Sequence, residues 1–289
     1  MEEHPEYLDY PNVEELVVFI INGNQGSHEQ FPLIANQMAK YFNKLTESQK
    51  KGMIDPEFRN HDKKTYYRLR TYGWNTFRQP SAFSGAMFKD QALYVQESIK
   101  AMLRDRYEGD QRFTIIGHSI GCLTAYFIQD QVSEYGNLQN IICLGTPFGE
   151  SPTKLNKDLE NILSEIKAKK QENQQKHSTY NFIFNSGDKD FHIPSEKAGE
   201  DRFESYLPED RTIVVNVDRD LKHFYSSLNH ASFFFSKHFH NTFSVFASKV
   251  MLARDPMRSA REQLFLLHDE PLKHGEFQPV EMDECSSQL

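Results

Sequence analysis

Leu16-Val17-Val18-Phe19-Ile20-Ile21 is an unbroken apolar run that stops at Asn22-Gly23-Asn24-Gln25-Gly26. A strand with one face in water alternates apolar and polar residues. A run without a polar break has to be covered on both faces, which points to a parallel sheet between helices. Residues 29–43 follow, with Phe31, Ile34, Ala35, Met38, Tyr41 and Phe42 at helical spacing. Residues 44–64 are polar and read as loop with a short helix.

The pattern then repeats. Thr65 to Trp74 reads as a strand, and Asp90 is placed to cap a helix carrying Ala92, Val95, Ile99, Met102 and Leu103. Phe113 to Ile116 is a short buried strand, with a helix from about Ile120 to Glu134. Ile141 to Leu144 is another strand, ending at Gly145-Thr146-Pro147. Residues 154–177 form a Lys-rich helical stretch with Leu155, Leu159, Ile162, Leu163 and Ile166 on one face. Strands Asn181 to Asn185 and Thr212 to Val217 and a helix around 231–252 complete the series. Strands alternating with helices predict a doubly wound, mostly parallel α/β domain.

The sharpest local signal is Gly117-His118-Ser119-Ile120-Gly121. It follows an apolar strand and precedes a helical pattern. A G-x-S-x-G in that context is a nucleophile elbow: the serine rides a tight strand-to-helix turn, and the flanking glycines allow backbones to approach closely. The helix that follows points its N-terminal amides at the site, which favours a developing anion.

A nucleophilic serine needs a base, and the base needs an orienting acid. In this elbow type the chain order is Ser, then Asp or Glu, then His. Asn181–Asn185 leads into Ser186-Gly187-Asp188-Lys189-Asp190, and the next strand leads on to Asn229-His230-Ala231-Ser232-Phe233. Parallel strands bring those loops to the edge where Ser119 sits, although Asp190 and His230 are 71 and 111 residues away. Asp190 is preferred to Asp188 as the acid. His230 is preferred as the base; its competing reading is a polar cap at a helix start. His192 and His223 read as surface histidines, and His118 as a residue that packs or orients the elbow. The oxyanion hole takes two backbone amides. Ile120 supplies one and the loop after the first strand the other, with Asn24 preferred and Gln25 second. Gly23, Gln25 and His118 are expected to line the substrate. A phosphate loop is discounted, because G-x-x-x-x-G-K-[ST] is absent. No cofactor or metal is expected.

These pieces resemble the α/β-hydrolase superfamily, and within it the eukaryotic GPI inositol-deacylase group. The resemblance is carried by Phe19 to Ser27, Asp90-Gln91-Ala92-Leu93-Tyr94-Val95, Gly117 to Gly121, Gly145-Thr146-Pro147 and Asn229-His230, spread over roughly 16–250. The chain is also similar to the lipid-droplet-associated hydrolases in its Gly-Asn-x-Gly loop and its elbow. The resemblance implies an α/β-hydrolase fold with a small helical cap, hydrolysis of a fatty acyl ester, and Ser119, Asp190 and His230 as the triad. Cys122 departs from the pattern, standing where such elbows often have a second glycine. An inactive hydrolase fold used as a binding module, or an acyltransferase or peptidase, are the alternatives.

Composition sets the remaining bounds. With 289 residues and 38% apolar content, including 23 Phe and 13 Tyr, the chain can fill a large core. No apolar run approaches the ~18–20 residues of a membrane span, and the first residues lack the basic and apolar parts of a signal peptide. Cys122, Cys143 and Cys285 cannot all pair and suit no zinc site, so a soluble protein of a reducing compartment, the cytoplasm, is expected. The net charge is -8. Residues 1–15 hold six acids and no Lys or Arg, and residues 267–289 hold six acids and one Lys, so 16–266 carry about +3. The organisation expected is an acidic arm at 1–15, a hydrolase domain at 16–266 with a cap at about 150–178, and an acidic tail at 267–289. The expected partner is a lipid or other acyl-ester substrate, without nucleic acid; peripheral contact with a membrane or lipid droplet and the oligomeric state stay open.

Overall fold

The computed structural model describes residues 12–24, 31–45, 65–74, 83–107, 111–147, 157–173, 178–185, 207–217, 233, 236–253 and 255–269. Its centre is a six-stranded, wholly parallel sheet. In chain order the strands are β1 (Asn12–Ile21), β2 (Thr65–Gly73), β3 (Arg112–His118), β4 (Asn137–Leu144), β5 (Tyr180–Asn185) and β6 (Thr212–Asn216), and they lie side by side as β2-β1-β3-β4-β5-β6. β1 opens at Asn12, before the apolar run, and pairs with β2 from Asn12 to Ile20. The helices are α1 (Phe31–Lys44), α2 (Gly85–Arg106), α3 (Ile120–Ser133), α4 (Lys157–Asn173), α5 (Lys237–Leu252) and α6 (Pro256–Asp269).

Successive side chains of a strand point to opposite faces, so an all-apolar run feeds two cores. Val17, Phe19 and Ile21 enter a core closed by α2, α3 and α4. Val18 and Ile20 enter one closed by α1, α5 and α6. The second core is where much of the phenylalanine goes. Phe184 meets Phe246, Phe243 and Phe239 edge-on at 5.0, 5.8 and 6.4 Å between ring centroids. Edge-to-face contact suits rings with negative faces and positive rims.

Two local expectations need correction. α2 begins five residues before Asp90, at Gly85, and its cap is Ser84, whose hydroxyl accepts from the Met87 amide at 3.3 Å. The helix expected from about 231 is α5, which begins at Lys237 with Ser236 as its cap. The apolar face of α4, read from sequence as the shield of a cap or a helix packed on the core, is the latter. Leu159, Ile162, Leu163 and Ile166 are buried with Phe88, Val95 and Ile99 of α2 and Ile128 of α3. Among the described residues no helix is long and apolar enough to cross a membrane.

Candidate active site

β3 ends at His118, and the chain reverses into α3 through one residue, Ser119. Its backbone sits at φ 54° and ψ -130°, the one positive φ outside glycine among the described residues. Side chains avoid this region because Cβ crowds the carbonyls, at a cost of about 1–3 kcal/mol. The strain is held by what surrounds it. The Ser119 amide donates to the Leu144 carbonyl of β4 at 2.8 Å, and its carbonyl accepts from the Cys122 amide at 3.1 Å.

The neighbouring glycines explain the tightness. A β-carbon on Gly121 would strike the carbonyl oxygens of Ile21, at 2.5 Å, and of Asn22, so α3 starts directly against the end of β1. A β-carbon on Gly23 would lie 2.7 Å from the Ser119 Cβ and 2.9 Å from His118 Nδ1. The loop after β1 is thus laid against the side chain of Ser119. Asn22 steadies it: its buried side chain donates to the Trp74 carbonyl at the end of β2, 3.3 Å away. Asn24 follows, half-buried. Ile120 opens α3, whose first turn holds no acid to oppose an anion.

His118 is buried, and its ring meets Phe233 edge-on with centroids 6.3 Å apart. Asp190, Asp188, His230, Gln25, His192 and His223 lie outside the described residues. The strands that lead to them do not. β5 ends at Asn185 and β6 at Asn216, paired with each other and at the same carboxyl edge as Ser119. Asn185 is buried there with neither amide atom hydrogen-bonded among the described residues, and the Thr146 hydroxyl, past β4, is in the same state. Buried polar groups of this kind call for partners from beyond the strands.

Two features escaped the sequence reading. Cys122, in the first turn of α3, and Cys143, on β4, form a disulfide with Cα atoms 5.5 Å apart and a sequence separation of 21. The odd cysteine count hid this pair. Both are fully buried, and Cys143 is the register partner of Gly117, so the bridge closes the back of the elbow. The second feature is Phe233 itself, whose position three residues past His230 was the available signal. Among the described residues no group of His, Cys, Asp or Glu is gathered as a metal site requires.

The PGAP1-like alpha/beta domain model matches residues 12–240. The chain belongs to that family. Solved structures extend the likeness to other proteins of the α/β-hydrolase fold. A Lactobacillus plantarum WCFS1 protein assigned as a cell surface hydrolase is 12% identical, with a TM-score of 0.50 over 86% of this chain and 97% of that one. A structure of the metagenome-derived lipolytic enzymes LipS and LipT is also 12% identical, with a TM-score of 0.50 over 83% and 96%. At such identity the likeness is one of fold. No curated protein matches the chain significantly.

Proposed function

We propose that the chain is a serine hydrolase of carboxylic esters, with fatty acyl esters of lipids as its substrate class. The observation that carries this is Ser119, a strained residue on a strand-to-helix turn with the Gly23 loop against its side chain. A surface turn would have no reason to hold a serine in that conformation.

In this reading Ser119 Oγ attacks the ester carbonyl carbon while His230 takes the hydroxyl proton. Asp190 holds the imidazole in the required tautomer. The amides of Ile120 and Asn24 receive the negative charge on the carbonyl oxygen. Collapse of the tetrahedral intermediate expels the alcohol, which takes the proton from His230, and leaves the acyl group on Ser119. Water then attacks the acyl-enzyme, giving a proton to His230. The fatty acid departs and the proton returns to Ser119.

The lipolytic activity named for the metagenome-derived neighbours agrees with this substrate class. The test is a panel of acyl esters of rising chain length, assayed with wild type and Ser119→Ala. Turnover that rises with chain length and vanishes in the variant supports the reading; a folded wild type that turns over none of the esters overturns it.

A further inference from the structure

We propose that His240 is a positioning residue, acting through Phe233 on the elbow that carries Ser119. This rests on Ser119 as the nucleophile, the reading given above.

Three contacts make the case. His240 lies on α5, buried, with Nε2 2.8 Å from the carbonyl oxygen of Phe233. A carbonyl only accepts, so Nε2 carries the proton and donates. Phe233 is itself fully buried, with its ring 5.0 Å from that of Phe239 and edge-on to His118, the residue before Ser119. The backbone of Phe233 is therefore tied to α5 through its carbonyl, and its side chain is tied to the elbow.

Phe233 therefore links α5 to the residue next to Ser119. α5 is well suited to anchor it. The Ser236 hydroxyl accepts from the Phe239 amide at 3.2 Å, and the Ser244 hydroxyl donates to the His240 carbonyl at 2.5 Å. The first turns of the helix are thus fixed on both sides of the imidazole. A histidine buried for packing alone would not need its one donor aimed at the residue that packs on the elbow.

The experiment compares His240→Leu, His240→Gln and Phe246→Leu with wild type. Glutamine keeps an amide N–H at nearly the reach of Nε2. Phe246→Leu loosens the same core at the Phe182 and Phe184 rings. The readouts are kcat and KM for an acyl ester and the rate of fluorophosphonate labelling, each on protein shown to be folded. The expected result is a fall of ten-fold or more in kcat and labelling rate for His240→Leu, with KM little changed, recovery in His240→Gln, and near wild-type rates in Phe246→Leu. If folded His240→Leu keeps wild-type rates, or if Phe246→Leu loses as much, His240 has only a structural role. If His240→Leu does not fold, the Gln variant and Phe233→Leu decide: a Gln variant as slow as Phe233→Leu contradicts the proposal. A wild type that neither labels nor turns over ester would fail the parent reading instead, before any variant is compared.

Discussion

A β-carbon placed on Gly23 would stand 2.7 Å from the Cβ of Ser119, so the first loop of the sheet and the elbow meet with no room between them. Contacts under 3.0 Å force something to move, and the rigid partners here are the strained serine and the loop bearing Asn24. Gly23→Ala is therefore expected to displace the oxyanion loop. The loss in kcat/KM should match that of an oxyanion donor, about 10²–10³-fold. Steady-state kinetics on the folded variant check this; activity close to wild type would mean that the loop does not serve the site.

The Cys122–Cys143 bridge predicts a thiol count. Protein isolated without reductant and then denatured should alkylate at Cys285 only, and at all three cysteines after reduction, as read by intact mass. Closing a loop of this size removes enough unfolded-state entropy to be worth roughly 3 kcal/mol. Replacing both cysteines by alanine should lower the melting temperature accordingly.

Much of this architecture can be read in the sequence. The strand at Leu16–Ile21 is visible because a run buried on both faces has no polar break, and the edge strand at Thr65–Trp74 because its residues alternate and are rich in aromatics. The elbow is visible because the fold demands Gly, Ser and Gly at fixed places. Other elements depend on contacts that no local pattern records. Asp90 lies on α2 with a capping side-chain type, but the helix starts where Ser84 meets Met87. The apolar stripe of α4 reads equally well as a lid or a packed helix until α2 and α3 are in place. The pairing of Cys122 with Cys143 needs β3 beside β4. Phe233 and His240 matter through each other, across a gap that sequence spacing does not measure.

Burial lowers the basicity of His240, opposed in part by its hydrogen bond to Phe233. The sign of the consequence is fixed. Above the ordinary histidine value of 6.5 the imidazole is neutral folded and unfolded, and its contribution is complete. Below 6.5 the unfolded chain takes up a proton that the folded protein resists, so stability falls with pH until His240 protonates in place. Denaturant titrations at about pH 7 and about pH 5 should show a smaller loss for His240→Gln than for wild type. An equal loss in both would assign the acid sensitivity to other groups.

Phe184 is buried against three rings from α5, whereas Leu93 on α2 is 56% exposed. Phe184→Ala should cost about 3–5 kcal/mol in unfolding free energy through lost burial and the cavity left behind. Leu93→Ala should stay within about 0.5 kcal/mol. Chemical denaturation measures both.

The central claim is that Ser119 is an activated nucleophile, and a fluorophosphonate reports on it directly, because only a serine with a working base displaces its leaving group quickly. The account predicts one covalent adduct per chain, mapped by peptide mass to Ser119, and no labelling of Ser119→Ala. Folded wild-type protein that stays unlabelled, or labelling that persists in Ser119→Ala, would contradict it.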